Sequence, residues 1–183
     1  MRSRSNTPRG DGPGGPGGPH GRGGGARGRG TKYEGAAAGS GRRVCILVSR
    51  FNSGVTGRLL EGAARTILEC GVAEEDLEIV YVPGAWELPL AAQRAAARGY
   101  AAIIALGCVI RGETAHFDHV SRTATDGLAK VQLDAGVPVG LGVLTPDTRD
   151  QALARAGGEL GNAGSEAARA ALRMADLHEQ LDS

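Results

Sequence analysis

The stretch Ala101–Val120, AAIIALGCVIRGETAHFDHV, limits what this chain can fold into more than any other segment. It opens as an unbroken apolar run, the pattern of a strand covered on both faces. It then breaks into Arg111-Gly112-Glu113-Thr114-Ala115-His116-Phe117-Asp118, where chemically active side chains crowd into a few positions. A buried strand that empties into a glycine-containing polar loop, followed by a helix, is where open α/β sheets hold their ligands. Gly112 permits close backbone approach, and Thr114 beside the amides of a helix start suits an anion such as phosphate. His116 is able to move protons near neutral pH or simply to cap or pack, and the residues alone leave both roles open.

The remaining chain supplies partners for that strand. Strand-like runs fall at Arg43–Ser49, Leu77–Val82, Ala101–Gly107 and Val137–Leu144. Helical patterns separate them. Thr56–Cys70 aligns Leu60, Ala63, Ala64, Ile67 and Leu68 and stops at Gly71. Glu87–Arg98 tolerates Pro89 in its first turn and ends at Gly99. Phe117–Asp134 aligns Val120, Ala124, Leu128 and Val131, and two more helices are predicted at Arg149–Ala156 and Glu166–Leu181. Alternating strands and helices with short joins imply right-handed crossovers and a parallel sheet covered on both faces. The expected fold is therefore a three-layer α/β/α sandwich, flavodoxin-like, over a four-stranded parallel sheet.

A parallel sheet gathers its strand exits on one edge. Here those exits are Arg50-Phe51-Asn52, Pro83-Gly84-Ala85-Trp86-Glu87, the Arg111–Asp118 loop and Thr145-Pro146-Asp147-Thr148. An aromatic, a carboxylate and a histidine thus meet without being close in sequence. Phe51 suits stacking on a flat heterocycle or stapling the next helix. Glu87 suits gripping hydroxyl groups or complementing a helix dipole.

Charge separates the first forty or so residues from the rest. Residues 1–43 hold nine Arg or Lys against two acids, leaving twelve against eighteen in the remainder. The segment GDGPGGPGGPHGRGGGARGRG has too few apolar side chains to bury a core, so residues 1–42 are expected as a disordered tail and 43–183 as the domain. Its Arg-Gly repeats fit weak, sequence-independent RNA contact, or plain solubilisation, with Tyr33 the one aromatic available to stack. Cys45, Cys70 and Cys108 form no CxxC and sit in apolar patterns, which argues for packing in a reduced compartment. The histidines show no metal-ligand spacing, and the sequence has neither a signal-peptide pattern nor a membrane-length apolar run, so a cytoplasmic protein without metal is expected.

Five segments in order resemble the lumazine synthase family: RFN (Arg50–Asn52), VPGAWELPLAA (Val82–Ala92), ALGCVIRGETAHFDHV (Ala105–Val120), GVPVGLGVLTPDT (Gly136–Thr148) and QALARAGGELGNAGSEAA (Gln151–Ala168). The resemblance covers about Val44 to Leu181 and none of the tail. It implies a transferase of riboflavin biosynthesis that joins 5-amino-6-(D-ribitylamino)uracil to 3,4-dihydroxy-2-butanone 4-phosphate, giving 6,7-dimethyl-8-ribityllumazine without a cofactor. It further implies that Phe51 stacks on the pyrimidine and that Ala85, Trp86 and Glu87 hold the ribitylamino part. The backbone of Cys108, Val109 and Ile110 would bond the uracil edge. Glu113 and Thr114 would meet the phosphate, and His116 would shuttle protons. Leu141 and Arg155 would come from a neighbouring subunit. The resemblance also implies a homo-oligomer, a pentamer with a shell of pentamers in some members, and allows association with riboflavin synthase. Leu141 replaces a common aromatic, Trp86 a phenylalanine, and Glu159 and Ala163 stand where the family often has lysines. Those departures keep open a non-catalytic shell-forming or flavin-binding relative. A plain mononucleotide-binding domain would need a phosphate loop after the first strand, and SRFNSGVTG makes a poor one.

Overall fold

A computed structural model of the chain describes residues 30–183. Strand β1 (Val44–Ser49) is buried along its whole length, as its VCILV run requires. It pairs in parallel with β2 (Leu77–Val82) on one side and β3 (Ala102–Cys108) on the other, and β3 pairs with β4 (Val139–Leu144). The order is β2-β1-β3-β4, the four-stranded parallel sheet that the apolar runs predict. Strand β4 starts at Val139 and not Val137, because Pro138 has no N–H to give the ladder and offers only its carbonyl, to Ile103 N at 2.9 Å.

Alternation along β1 builds the two outer layers. Val44, Ile46 and Val48 face helices α1 (Ser53–Glu69) and α5 (Ala163–Asp182), with Leu59, Ile67 and Leu172 packed against them. Cys45 and Leu47 face α2 (Leu88–Ala96) and α3 (His116–Ala135), against Leu88, Ala124 and Leu128. Each such Leu or Ile, fully buried, contributes about 1.5–3 kcal/mol. Together the two cores make the three-layer sandwich. Strand β4 spends glycine on the α5 side: a Cβ on Gly140 would lie 2.3 Å from the Ala167 carbonyl, so only glycine lets that helix close down.

Helix ends differ from the sequence reading where capping overrides periodicity. Helix α5 begins at Ala163, ahead of Glu166, because Asn162 accepts from the amides of Gly164 and Ser165 at 2.9 and 3.1 Å. Of the Glu87–Arg98 segment, Glu87 closes a 3-10 turn that starts at Ala85, and the helix proper is α2, Leu88–Ala96, with Pro89 in its first turn. Helix α4 (Arg149–Ala154) is fixed by a reciprocal capping box between Thr148 and Gln151. An antiparallel ribbon, β5 (Ala156–Gly158) with β6 (Gly161–Asn162), was not foreseen, since its short glycine-rich strands carry no alternation.

Residues 34–42 also depart from expectation. Their composition puts them in the tail, yet they run along α5. Ala36 N donates to Asp176 at 2.9 Å, and Arg42 bonds Asp176 and Glu179 at 3.2 and 2.8 Å. Ala37 packs onto the core. The expected Arg-Gly tail and its RNA contact otherwise lie outside the described residues. Cys45 and Cys108 pack in the core, where burial pushes both thiols up to about 11. Among the described residues no helix is long and apolar enough to cross a membrane.

Candidate functional site

The sheet order places a switch point between β1 and β3, because the chain steps to β2 on one side of β1 and returns to β3 on the other. A crevice opens beyond the carboxyl ends of such strands. It is a cleft of about 820 Å³ lined by Phe51, Gly84, Ala85, Trp86, Glu87, Cys108, Val109, Ile110, Gly112, Thr114, His116, Phe117 and His119.

Main-chain bonds set its walls. Arg50 N and Phe51 N continue the ladder past β1 to Val82 O and Pro83 O, at 2.8 and 3.2 Å. Asn52 then turns the chain in the left-handed region, φ 58°, a conformation asparagine tolerates better than most residues. Its Nδ2 donates to Cys108 O at 2.9 Å, which ties the β1 exit to the end of β3. Phe51 is left 69% exposed, so it is no helix staple and its face is free for a flat ligand. Trp86 is likewise 54% exposed. The Glu87 carboxylate and the His116 imidazole have no hydrogen-bond partner among the described residues, and both face the cleft.

On the other wall, Val109 N bonds Leu144 O at 2.8 Å and Arg111 N bonds Pro146 O at 2.9 Å. The Val109 amide is therefore committed to the β4 exit, and the intervening Ile110 amide has no main-chain partner among the described residues. That shifts donor capacity for a ligand edge from Val109 to Ile110. Helix α3 starts at His116 behind Ala115, which supplies no side-chain cap. The amides of His116 and Phe117 have no main-chain partner among the described residues, while those of Asp118 and His119 bond Ala115 O at 3.1 and 3.3 Å. The positive end of the helix dipole faces the Gly112–Ala115 loop, a setting that favours an anion beside Thr114.

Nine of the twelve residues singled out from the sequence line this cleft. Glu113 stands exposed on the loop without joining the lining. Leu141 and Arg155 are elsewhere in the subunit. Leu141 sits opposite Ala105 on the outer strand, 52% exposed on the α2/α3 side. Arg155 lines a second cavity, about 640 Å³, with Asp147, Asp150, Gln151, Glu159 and Leu160. The sequence reading missed Asn52 as an anchor, His119 as a second imidazole in the cleft, and Arg111. The His116-x-x-His119 spacing on a helix was the available signal for the second imidazole. Arg111 reaches Asp147 at 2.8 Å and Asp118 at 3.4 Å, and lies 4.1 Å from the centre of the Phe117 ring.

Residues 41–179 match the family model described as 6,7-dimethyl-8-ribityllumazine synthase. Two proteins named 6,7-dimethyl-8-ribityllumazine synthase, from Stenotrophomonas maltophilia strains R551-3 and K279a, are each 52% identical over 140 residues, covering 76% of this chain and 90% of theirs. A match of that length, spanning every element that shapes the cleft, means that this chain belongs to the 6,7-dimethyl-8-ribityllumazine synthase family.

Proposed function

We propose that this chain condenses 5-amino-6-(D-ribitylamino)uracil with 3,4-dihydroxy-2-butanone 4-phosphate to give 6,7-dimethyl-8-ribityllumazine, the penultimate step of riboflavin biosynthesis. The observation that carries the proposal is the meeting of an exposed aromatic, a free carboxylate and a free imidazole in one cleft at the switch point, in a member of this family. The uracil ring stacks on Phe51, and the Ile110 amide donates to its edge. Glu87, unpartnered beside Trp86, accepts from ribityl hydroxyls. Thr114 and the first amides of α3 receive the phosphate.

The chemistry is a sequence of proton transfers. The primary amine attacks the ketone and water leaves to give the imine, phosphate is eliminated, and the ribityl-bearing nitrogen closes the ring with loss of a second water. His116 stands where it can take and return those protons. No covalent nucleophile is required, which agrees with two cysteines held protonated in the core. Holding both substrates face to face supplies much of the acceleration by removing translational freedom.

The site is completed by a second subunit. Leu141 and Arg155 do not line the cleft of their own subunit, and both stand on surface that a neighbour can cover. The guanidinium of Arg155 grips the phosphate bidentately. Glu159 shares its cavity and weakens that grip, so the KM for the phosphate substrate rises relative to a chain with lysine there. The assembly is a pentamer. Mixing the purified chain with both substrates tests the reading: fluorescent lumazine and one equivalent of phosphate should appear, with a solution mass of five subunits or a multiple. Intact assembly without product would instead identify a non-catalytic relative.

A further inference from the structure

We infer that Arg111 is a positioning residue, a clamp that holds the loop carrying Thr114 and His116 in its working geometry; the inference rests on the function proposed above. One guanidinium here joins the β4 exit to the start of α3 through three contacts. It bonds Asp147 beyond β4 at 2.8 Å, reaches Asp118 in the first turn of α3 at 3.4 Å, and lies over Phe117 at 4.1 Å from the ring centre. Its own amide is fixed to Pro146 O at 2.9 Å. Residues 112–115 therefore form a short bridge with one end pinned to the β4 exit and the other to the start of α3.

The bridge has little else to hold it. Residues 111–116 are exposed, and neither Glu113 nor Thr114 makes a hydrogen bond among the described residues. Helix α3 has no side-chain cap that would fix its entry angle. Between them, Arg111 and Phe117 do that work, the buried ring anchoring the helix and the cation locking ring and loop together. The fork of the guanidinium matters, since a point charge cannot meet two carboxylates and lie on a ring at once. Its engagement with two carboxylates also separates this role from direct anion binding.

Three variants in the full-length chain test the clamp: Arg111→Ala, Arg111→Lys and Asp147→Asn. In Arg111→Ala, kcat should fall on the order of 10–100-fold, the cost of a small misplacement of reacting groups. KM for the phosphate substrate should rise, while KM for the ribitylaminouracil, held by Phe51 and Glu87, stays within about twofold. Arg111→Lys should recover part of kcat. The hydrogen-bonded amides at positions 111, 118 and 119 should exchange at least about tenfold faster in Arg111→Ala, with protection of β1 and β3 unchanged. Asp147→Asn decides between clamp and ligand: a clamp predicts losses in the same direction as Arg111→Ala, whereas a phosphate ligand freed from its carboxylate would bind the substrate more tightly. Unchanged exchange at positions 111, 118 and 119, or a lowered phosphate-substrate KM in Asp147→Asn, would overturn the inference. If wild type forms no lumazine, the proposed function fails, and the exchange measurement still settles whether Arg111 holds the loop.

Discussion

Removing the Phe51 ring tests the cleft most directly. The ring is 69% exposed, so Phe51→Ala takes almost nothing from either core. Its main-chain bond, Phe51 N to Pro83 O at 3.2 Å, does not depend on the side chain. Stability should therefore move by no more than about 0.5 kcal/mol, or about 1–2 °C in Tm for a unit of this size. Binding is another matter. Stacking one heterocycle on one aromatic is worth about 1–3 kcal/mol, equivalent to a rise of about 5–150-fold in KM for the ribitylaminouracil at 1.4 kcal/mol per decade. Trp86, 54% exposed in the same cleft, retains part of the apolar contact and favours the lower half of that range. Phe51→Leu separates the two contributions, since leucine keeps apolar area but offers no π-face. Steady-state kinetics with each substrate varied in turn, beside calorimetric Tm, gives the answer. A Tm loss beyond about 4 °C would mean the ring is part of the core. An unchanged KM for the ribitylaminouracil at constant Tm would refute the stacking role outright.

The other predictions use the same separation of folding from function. His116→Ala should lower kcat about 100-fold while leaving KM for the ribitylaminouracil and the oligomeric mass unchanged, and full activity would remove the imidazole from the mechanism. Gly140→Ala, whose new Cβ would stand 2.3 Å from Ala167 O, should cost about 1–3 kcal/mol as α5 is forced outward, read as a lower Tm. The strap of residues 34–42 carries a pH dependence. The Ala36 amide first, and Arg42 next, hold the Asp176 carboxyl below its usual 3.8, and Arg42 lowers Glu179 as well. A carboxylate lowered by folding stabilises above its unfolded pKa and loses that contribution as pH falls through the folded value. Protection of the Ala36 amide from hydrogen exchange should thus be constant above about pH 5 and decline below 3.8, and Asp176→Asn should weaken it at every pH.

How much of this was legible in the sequence depends on how each residue is held. Strands β1 and β3 could be read because both their faces are buried, which forces long apolar runs. The cleft residues followed, since they lie at strand ends or in the segments that lead from a strand to the next helix, and a parallel sheet gathers those positions at one edge. What escaped are contacts that leave no periodic trace. Asn52 works through a single left-handed residue and one hydrogen bond from its side-chain amide to Cys108 O. The strap reads as tail because its residues are small, yet smallness is what seats it: a Cβ on Gly35 would sit 1.9 Å from Arg173 O. The β5–β6 ribbon is set by turns and the Asn162 cap, with no apolar face to announce it.

Leu141 and Arg155 pose a different problem, because the folded subunit does not unite them with the residues they were grouped with. Each subunit has a cleft rich in aromatics and free polar groups but lacking a cation of its own for phosphate, and a second cavity with an Arg155 guanidinium but no aromatic face. Under the proposed function each cavity lacks what the other holds. A neighbour related by rotation can bring the two together, and repetition of that step closes a ring. Arg155→Ala in one parent chain and His116→Ala in another give the decisive form of this argument. Each homo-oligomer should be nearly inactive, and co-assembly should restore activity at the mixed interfaces that pair an intact His116 with an intact Arg155. Absence of that rescue in verified mixed assemblies would mean that the two residues serve one subunit, and the cross-subunit site would have to be abandoned.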